Sequence, residues 1–386
     1  MPILLTFVFV SFMPGRIHIV HIINNLSLGG AENLLRNLLP GLQAQGFQVS
    51  LICLNGMAHP GIRANIEAAG IPIYVLRQGS VYSPVLILKF YRLLQRLNPH
   101  IVHAHLFPST YWAAMAIRLE GRKRRLIMTE HSTSNKRMKQ GALKWIERWN
   151  YHTYHTVICI SNGVQQRLAH YVPTVNTVMI PNGIPMANYT QVDPAPPDAE
   201  TLETLHRFFQ PEQHFLMLSV GRLIPSKNHE TAIRTMKHLP QAMRLIICGD
   251  GIQKEKLQQL IEAEQVQDRV WLAGKQEAIP YFIQQAQVGL LCSHFEGFGL
   301  AAVEMMAGGL PVICSAVEGL QELCADPYLL VAPTDAVGIA QKIVALQQDS
   351  DLYVRMKTAC LAKAPQYSMD AMCSGYAQFY HSICRP

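Results

Sequence analysis

The sequence predicts an α/β protein built from two doubly wound parallel-sheet domains that face a cleft. Three observations predict it. Short apolar, β-rich runs alternate with helical stretches along nearly the whole chain, which is the pattern of a parallel sheet with helices on its faces. The alternation stops at a polar stretch, 186–200, that carries three prolines within four residues, and then begins again. The charge also changes sign there. Residues 1–185 hold 18 Lys and Arg against 5 Asp and Glu, a net +13, whereas residues 186–386 hold 15 against 21, a net −6. Such asymmetry marks two units with different partners.

The first unit opens on IHIVHII (17–23), an apolar run of strand length. Leu34, Leu35, Leu38, Leu39 and Leu42 then recur at helical spacing. Strands follow at 47–54, 71–76, 100–105, 125–131, 155–160 and 176–181, with helices between most of them, as at 84–97 and 139–151. These runs are nearly continuous in apolar residues, as expected of strands buried on both faces. The second unit has strands at 214–221, 243–249, 269–274, 288–293 and 310–315, with helices at 227–238, 252–265, 299–307 and 335–347. A last helix, 369–383, follows Pro365 and is expected to cross back to the first unit. The expected division is therefore 1–185, a linker over 186–213, and 214–386.

Hydrophobic residues make up 49% of the chain and charged residues 15%, which excludes a disordered protein. Nine cysteines without a CxxC pair read as reduced, buried thiols of a cytosolic protein, and no Cys/His set has zinc-ligand spacing. The apolar run 3–13 is shorter than the roughly 20 residues a membrane span needs, and it lacks signal-peptide features, so it is expected to be an extra segment before the first strand.

Two basic clusters stand in the first unit: Arg118 with Arg122, Lys123, Arg124 and Arg125, and Lys136, Arg137, Lys139, Lys144 and Arg148. No nucleic-acid motif accompanies them. Trp145 and Trp149 sit four residues apart within the second, on one helical face, which fits an anionic membrane surface. The plainer reading is a solvated charged face.

Four segments have the composition of a binding site. Gly29 and Gly30 lie in the turn that opens the first helix. A ligand can approach the backbone there, and the helix N-terminus favours phosphate. The spacing is not GxGxxG, so a nicotinamide dinucleotide loses support. Arg222 and Lys227 share one strand-to-helix loop and can clamp a diphosphate. Asp250 sits in a GDG turn that reads as structural and is not a DxD metal motif. Glu296 and Glu304 flank the start of another helix, eight residues or about 2.2 turns apart. Free amides near Gly299, Leu300 and Ala301 suit a phosphate, and a carboxylate suits a pair of hydroxyls.

The string EGFGLAAVE (296–304) resembles the Glu-x7-Glu signature of retaining glycosyltransferases of family 4, also called group 1, which have two Rossmann-like domains in the GT-B fold. LGGAE, HAHLFPS, TEH, IPNGI, GRL…KN, GDG and AGGLPV stand in that family's order, and the resemblance spans nearly all of the chain after Pro14. It implies that Arg222 and Lys227 bind the donor diphosphate, Glu304 the ribose hydroxyls and Glu296 the transferred sugar. Gly29 and Gly30 would lie near the sugar phosphate, and His105 beside the reaction centre. Only one of His103 and His105 is expected to face the cleft, the other packing in the sheet. Glu130, His131, Ser161 and Asn182 are further candidates that could equally be structural. Glu318 and Gly308–Gly309 depart from the family pattern, and Glu318 could alter the sugar pocket.

The resemblance implies retaining transfer of a hexose or N-acetylhexosamine from a nucleotide-sugar, UDP-linked; the basic first unit with Trp145 and Trp149 points to a glycan or lipid-linked acceptor of surface polysaccharide or lipopolysaccharide. No metal or resident cofactor is expected, and the expected place is the cytoplasm, peripheral on the inner membrane face. Two rivals share the fold or the ligand: a nucleotide-sugar 2-epimerase, which the Glu-x7-Glu string disfavours, and a non-catalytic nucleotide-sugar-binding subunit, which the intact clamp disfavours.

Overall fold

A computed structural model describes residues 15–27, 29–121, 124–131, 144–191 and 193–384. The first unit comprises β1 (His18–Ile23), α1 (Gly30–Ala44), β2 (Gln48–Asn55), α2 (Pro60–Ala68), β3 (Ile73–Arg77), α3 (Val85–Leu97), β4 (Ile101–His105), α4 (Ser109–Glu120), β5 (Arg125–Glu130), α5 (Lys144–Thr153), β6 (Thr156–Cys159), α6 (Asn162–Tyr171) and β7 (Thr177–Met179). After α7 (Ala199–Phe208) the second unit runs through β8 (Phe215–Val220), α8 (His229–Thr235), β9 (Met243–Cys248), α9 (Lys254–Ala263), β10 (Val270–Gly274), α10 (Ile279–Gln285), β11 (Val288–Leu291), α11 (Leu300–Ala307), β12 (Val312–Ser315), α12 (Leu320–Leu323) and β13 (Leu330–Val331). It ends in α13 (Ala336–Gln348), α14 (Ser350–Lys363) and α15 (Met369–Cys384).

The seven-stranded sheet has the order β3-β2-β1-β4-β5-β6-β7, and the six-stranded sheet β10-β9-β8-β11-β12-β13. All pairings are parallel. In each sheet the chain turns back beside its first strand, so β1/β4 and β8/β11 are the switch points where ligands bind in such folds.

The leucine stripe of α1 is buried as its spacing predicts. It lies on the same face of the first sheet as α15, whose Met372, Cys373, Tyr376 and Tyr380 share a core with Ile19, Ile23, Ile101 and Ile127. The last helix therefore crosses back to the first sheet. Arg125 donates to the Ile383 carbonyl at 3.0 Å, and Ile184 pairs with Ser368 where the chain enters the crossing.

Local chemistry shifts some boundaries. The segment 186–213 is not irregular throughout, because Asp198 caps α7 by accepting from the Thr201 amide at 3.0 Å. The expected helix 227–238 is broken at its start: Asn228 takes a left-handed conformation (φ 50°), and α8 begins only after it. The strand β13 was too short to read from its sequence. All nine cysteines are free, and burial pushes the Cys292 thiol up to about 12. No helix among the described residues is long and apolar enough to cross a membrane.

Candidate active site

The β8/β11 switch point brings two loops together. Lys227, in the loop after β8, forms an ion pair through Nζ with Glu296, in the loop after β11. Both side chains are mostly buried, at 20% and 13% exposure, so each charge is satisfied chiefly by the other. Arg222 stands exposed on the same β8 loop. Asn228 anchors that loop: its amide donates to the Cys292 carbonyl at 3.0 Å and the Pro333 carbonyl at 2.8 Å. A side chain beside Lys227 thus fastens one half of the site to the other, and only the string KN hinted at it.

Gly299 caps α11 with φ 98°. A β-carbon there would meet Leu320 at 2.6 Å, so both conformation and space require glycine. The first bond of the helix is donated by Ala302 to the Gly299 carbonyl at 2.9 Å, which leaves the Leu300 and Ala301 amides ahead of it. Glu304 lies one turn further in. Burial raises its carboxyl above the usual range, and the neighbouring Tyr189 hydroxyl counters part of that rise. Tyr189 comes from the connecting segment, a contact no local pattern announced. In the GDG turn a β-carbon on Gly249 would meet the Gly221 carbonyl at 1.9 Å, and the exposed Asp250 accepts from the Gly251 amide at 2.8 Å through its carboxylate and from the Leu223 amide at 2.9 Å through its carbonyl.

At the β1/β4 switch point, Gly30 faces open space, whereas a β-carbon on Gly29 would meet the Glu32 carboxylate, which folds back over it. His103 and His105 do not take opposite faces. Residues two apart in a strand point to the same side, and the two rings stack at 4.3 Å between centroids. His103 is locked by the Tyr380 hydroxyl at 2.6 Å and the Thr129 hydroxyl at 2.7 Å. His105 is fully buried, with Nε2 3.0 Å from His21 Nδ1 and Nδ1 3.4 Å from His131 Nε2. Desolvation holds His103 and His105 well below the usual imidazole range and lowers His21 to about 3 and His131 to about 4. Glu130 accepts from the Tyr151 hydroxyl at 2.6 Å, and the buried Asn182 side-chain carbonyl has no partner among the described residues.

The two sheets are bridged beside Glu296. The Ser161 hydroxyl donates to the Gly297 carbonyl at 2.7 Å and caps α6. The Glu322 carboxylate accepts from the Asn162 and Gly163 amides at 3.0 and 2.9 Å. Glu318 pairs with Arg167 at 3.0 Å across the same junction. A cavity of about 200 Å³ there is lined by Arg167, His294, Phe295, Glu296, Val317 and Glu318. Glu318 is therefore both a bridge to the first sheet and a wall of the space that Glu296 borders.

Residues 203–360 match the family described as glycosyl transferases group 1, and residues 28–188 match Glycosyltransferase Family 4. The chain belongs to the group 1, family 4 glycosyltransferases. Similar proteins include a lipopolysaccharide core biosynthesis glycosyltransferase of Rhizobium meliloti, 26% identical over 85% of this chain and 88% of that one. An N-acetylgalactosaminyltransferase of Campylobacter jejuni, named for a diphospho-undecaprenol acceptor, is 26% identical over 89% and 94%. The structure of HepE from Anabaena, solved with UDP and glucose, superposes with a TM-score of 0.79 at 18% identity, covering 95% of this chain and all of that one.

In this glycosyltransferase the basic clusters are less uniform than their spacing implies. Lys136, Arg137 and Lys139 lie outside the described residues, as do Arg122 and Lys123. Arg124 is buried in a pair with Glu120 and donates to the Pro99 carbonyl at 2.6 Å. Trp145 is 70% exposed, but Trp149 packs on the core beneath Arg118, whose guanidinium lies 4.9 Å from its ring centre. The two tryptophans do not form one exposed face.

Replacing Glu322 with Ala removes the carboxylate from the two α6 amides and should cost about 1–2 kcal/mol in urea unfolding; no change in stability would mean water replaces it fully. The buried histidines set a second expectation. Their folded values lie below the unfolded value of about 6.5, so the stability they contribute is complete above that pH and is lost as pH falls towards 4. Each fully buried ring should add a slope of about 1.4 kcal/mol per pH unit in that window, read from denaturant unfolding at a series of pH values.

Proposed function

We propose that this glycosyltransferase moves a hexose or N-acetylhexosamine, with retention of anomeric configuration, from a UDP-sugar to a lipid-linked or glycan acceptor of surface polysaccharide or lipopolysaccharide. The observation that carries the reading is the Lys227–Glu296 pair at the β8/β11 switch point, beside the open amides of α11. A diphosphate seated on the Leu300 and Ala301 amides takes over Lys227 as its counter-ion, with Arg222 reaching from the same loop. Glu296, released from the lysine, becomes an acceptor for sugar hydroxyls. Glu304 accepts from the ribose hydroxyls.

The transfer breaks the bond between the anomeric carbon and the diphosphate and forms one to the acceptor oxygen on the same face. The acceptor proton passes to the departing phosphate, so no enzymic nucleophile is required. Lys227, Arg222 and the α11 N-terminus stabilise the charge that grows on the leaving group. Bridging of the two sheets by Ser161, Glu318 and Glu322 supports a closed state that excludes water during transfer. The names of the similar proteins, which act on lipopolysaccharide core or on undecaprenol diphosphate, support the acceptor class. The exposed Trp145, with Lys144 and Arg148 on α5, supports a peripheral contact with an anionic leaflet on the cytoplasmic side.

Lys227→Ala should lower kcat by about 100-fold or more, since it removes a charge aimed at the leaving group. Glu304→Ala should mainly raise the donor KM. The anomeric configuration of the product, read by proton NMR, should match the donor's. An inverted product would refute retention, and wild-type kinetics in both variants would refute the site.

A further inference from the structure

His21, His105 and His131 form a line of three imidazoles that starts in the core and ends at the cleft. His21 lies on β1 and is wholly buried, and His105 is the last residue of β4 and is also wholly buried. His131 follows the carboxyl end of β5 and is only half-buried. The contacts alternate in one sense, His21 Nδ1 to His105 Nε2 at 3.0 Å, then His105 Nδ1 to His131 Nε2 at 3.4 Å. His103 lies beside the line but outside it, because Tyr380 and Thr129 hold both of its nitrogens.

A metal ion is not the better reading of the cluster His21, His103 and His105, although their ring nitrogens lie within 4.8 Å of one another. The rings of His103 and His105 are stacked, with planes 27° apart, and those of His21 and His105 differ by 13°. Lone pairs lie in the ring plane, so stacked rings do not converge on a common point. Among the described residues, only His21 Nε2 of the six nitrogens has no partner.

That one bare nitrogen decides the direction of the chain. A neutral imidazole has one N–H and one lone pair, so a line of three has two possible polarities. If His131 donated to His105, and His105 to His21, the proton of His21 would sit on Nε2, a buried N–H with no acceptor. If His21 donates through Nδ1, its Nε2 is a bare lone pair instead. Buried orphan N–H groups are the rarer fault, which favours the second polarity. It puts the proton of every ring on Nδ1 and leaves His131 with an N–H that the line does not use.

We propose that His21 is a positioning residue: its Nδ1–H fixes the tautomers of His105 and His131, so that His131 offers an Nδ1–H donor to an oxygen of substrate at the cleft end of β5. This role rests on the cleft being the site of transfer, but the tautomers do not. They are read without substrate, from long-range proton–nitrogen correlations of protein labelled with 15N-histidine at pH 7. His21→Asn keeps an amide donor in the place of Nδ1, while His21→Leu removes it. Wild type should show Nδ1–H for His105 and His131. His21→Asn should keep that pattern, and His21→Leu should give a mixture of tautomers at both. An Nε2–H on His131 in wild type, or an unchanged pattern in His21→Leu, would overturn the proposal. Should His21→Leu not fold, the wild-type and His21→Asn spectra decide it alone. If the tautomers are as stated but His131→Phe transfers sugar like wild type, the reading of the cleft fails at that residue and the positioning chain stands.

Discussion

The Lys227–Glu296 ion pair is the interaction on which the crevice of the second unit depends. Its members lie 69 positions apart and meet because β8 and β11 are neighbours in the six-stranded sheet. Two mostly buried charges cost desolvation that their attraction offsets only in good geometry. Asn228 supplies that geometry by tying the lysine loop to the carbonyl of Cys292 at the end of β11. In the proposed reaction the pair holds a cation ready for the donor diphosphate, which would be a reason to retain an ion pair that adds little to stability.

The rest of the fold keeps the first sheet in place opposite that pair. The chain does not end in the second unit; α15 returns to pack beside α1, and Tyr376 and Tyr380 close over His21 of β1, His103 of β4 and Thr129 of β5. On the cleft side, Ser161, Glu322 and Arg167 join the start of α6 to the loops around Glu296 and Glu318. The Glu322 carboxylate on α12 satisfies amides that the start of α6 leaves open. An acidic second unit thus meets a basic first one at defined atoms as well as through its overall charge.

Much of this was legible in the sequence because it is local. Apolar runs of strand length, the leucine spacing of α1 and the turn before α11 follow from rules that act within a dozen residues. The order of the motifs carried the family. What could not be read depends on contacts across the chain. Tyr189 meets Glu304, and Glu322 meets the α6 amides, from segments whose own composition says nothing of a partner. His103 and His105 depart from the expectation for another reason: the period of a strand puts successive residues on opposite faces and residues two apart on the same one. Trp149 shows the same limit, since helical spacing places it with Trp145 but the packing of α4 and Arg118 removes it from the surface.

The most direct test of the account is a crystal structure of the protein soaked in turn with UDP, GDP and ADP. The account predicts a diphosphate at the β8/β11 switch point, within hydrogen-bond distance of the Leu300 and Ala301 amides, with Lys227 moved from Glu296 to the phosphate. A nucleotide bound elsewhere, or bound there with the Lys227–Glu296 pair intact, would contradict it.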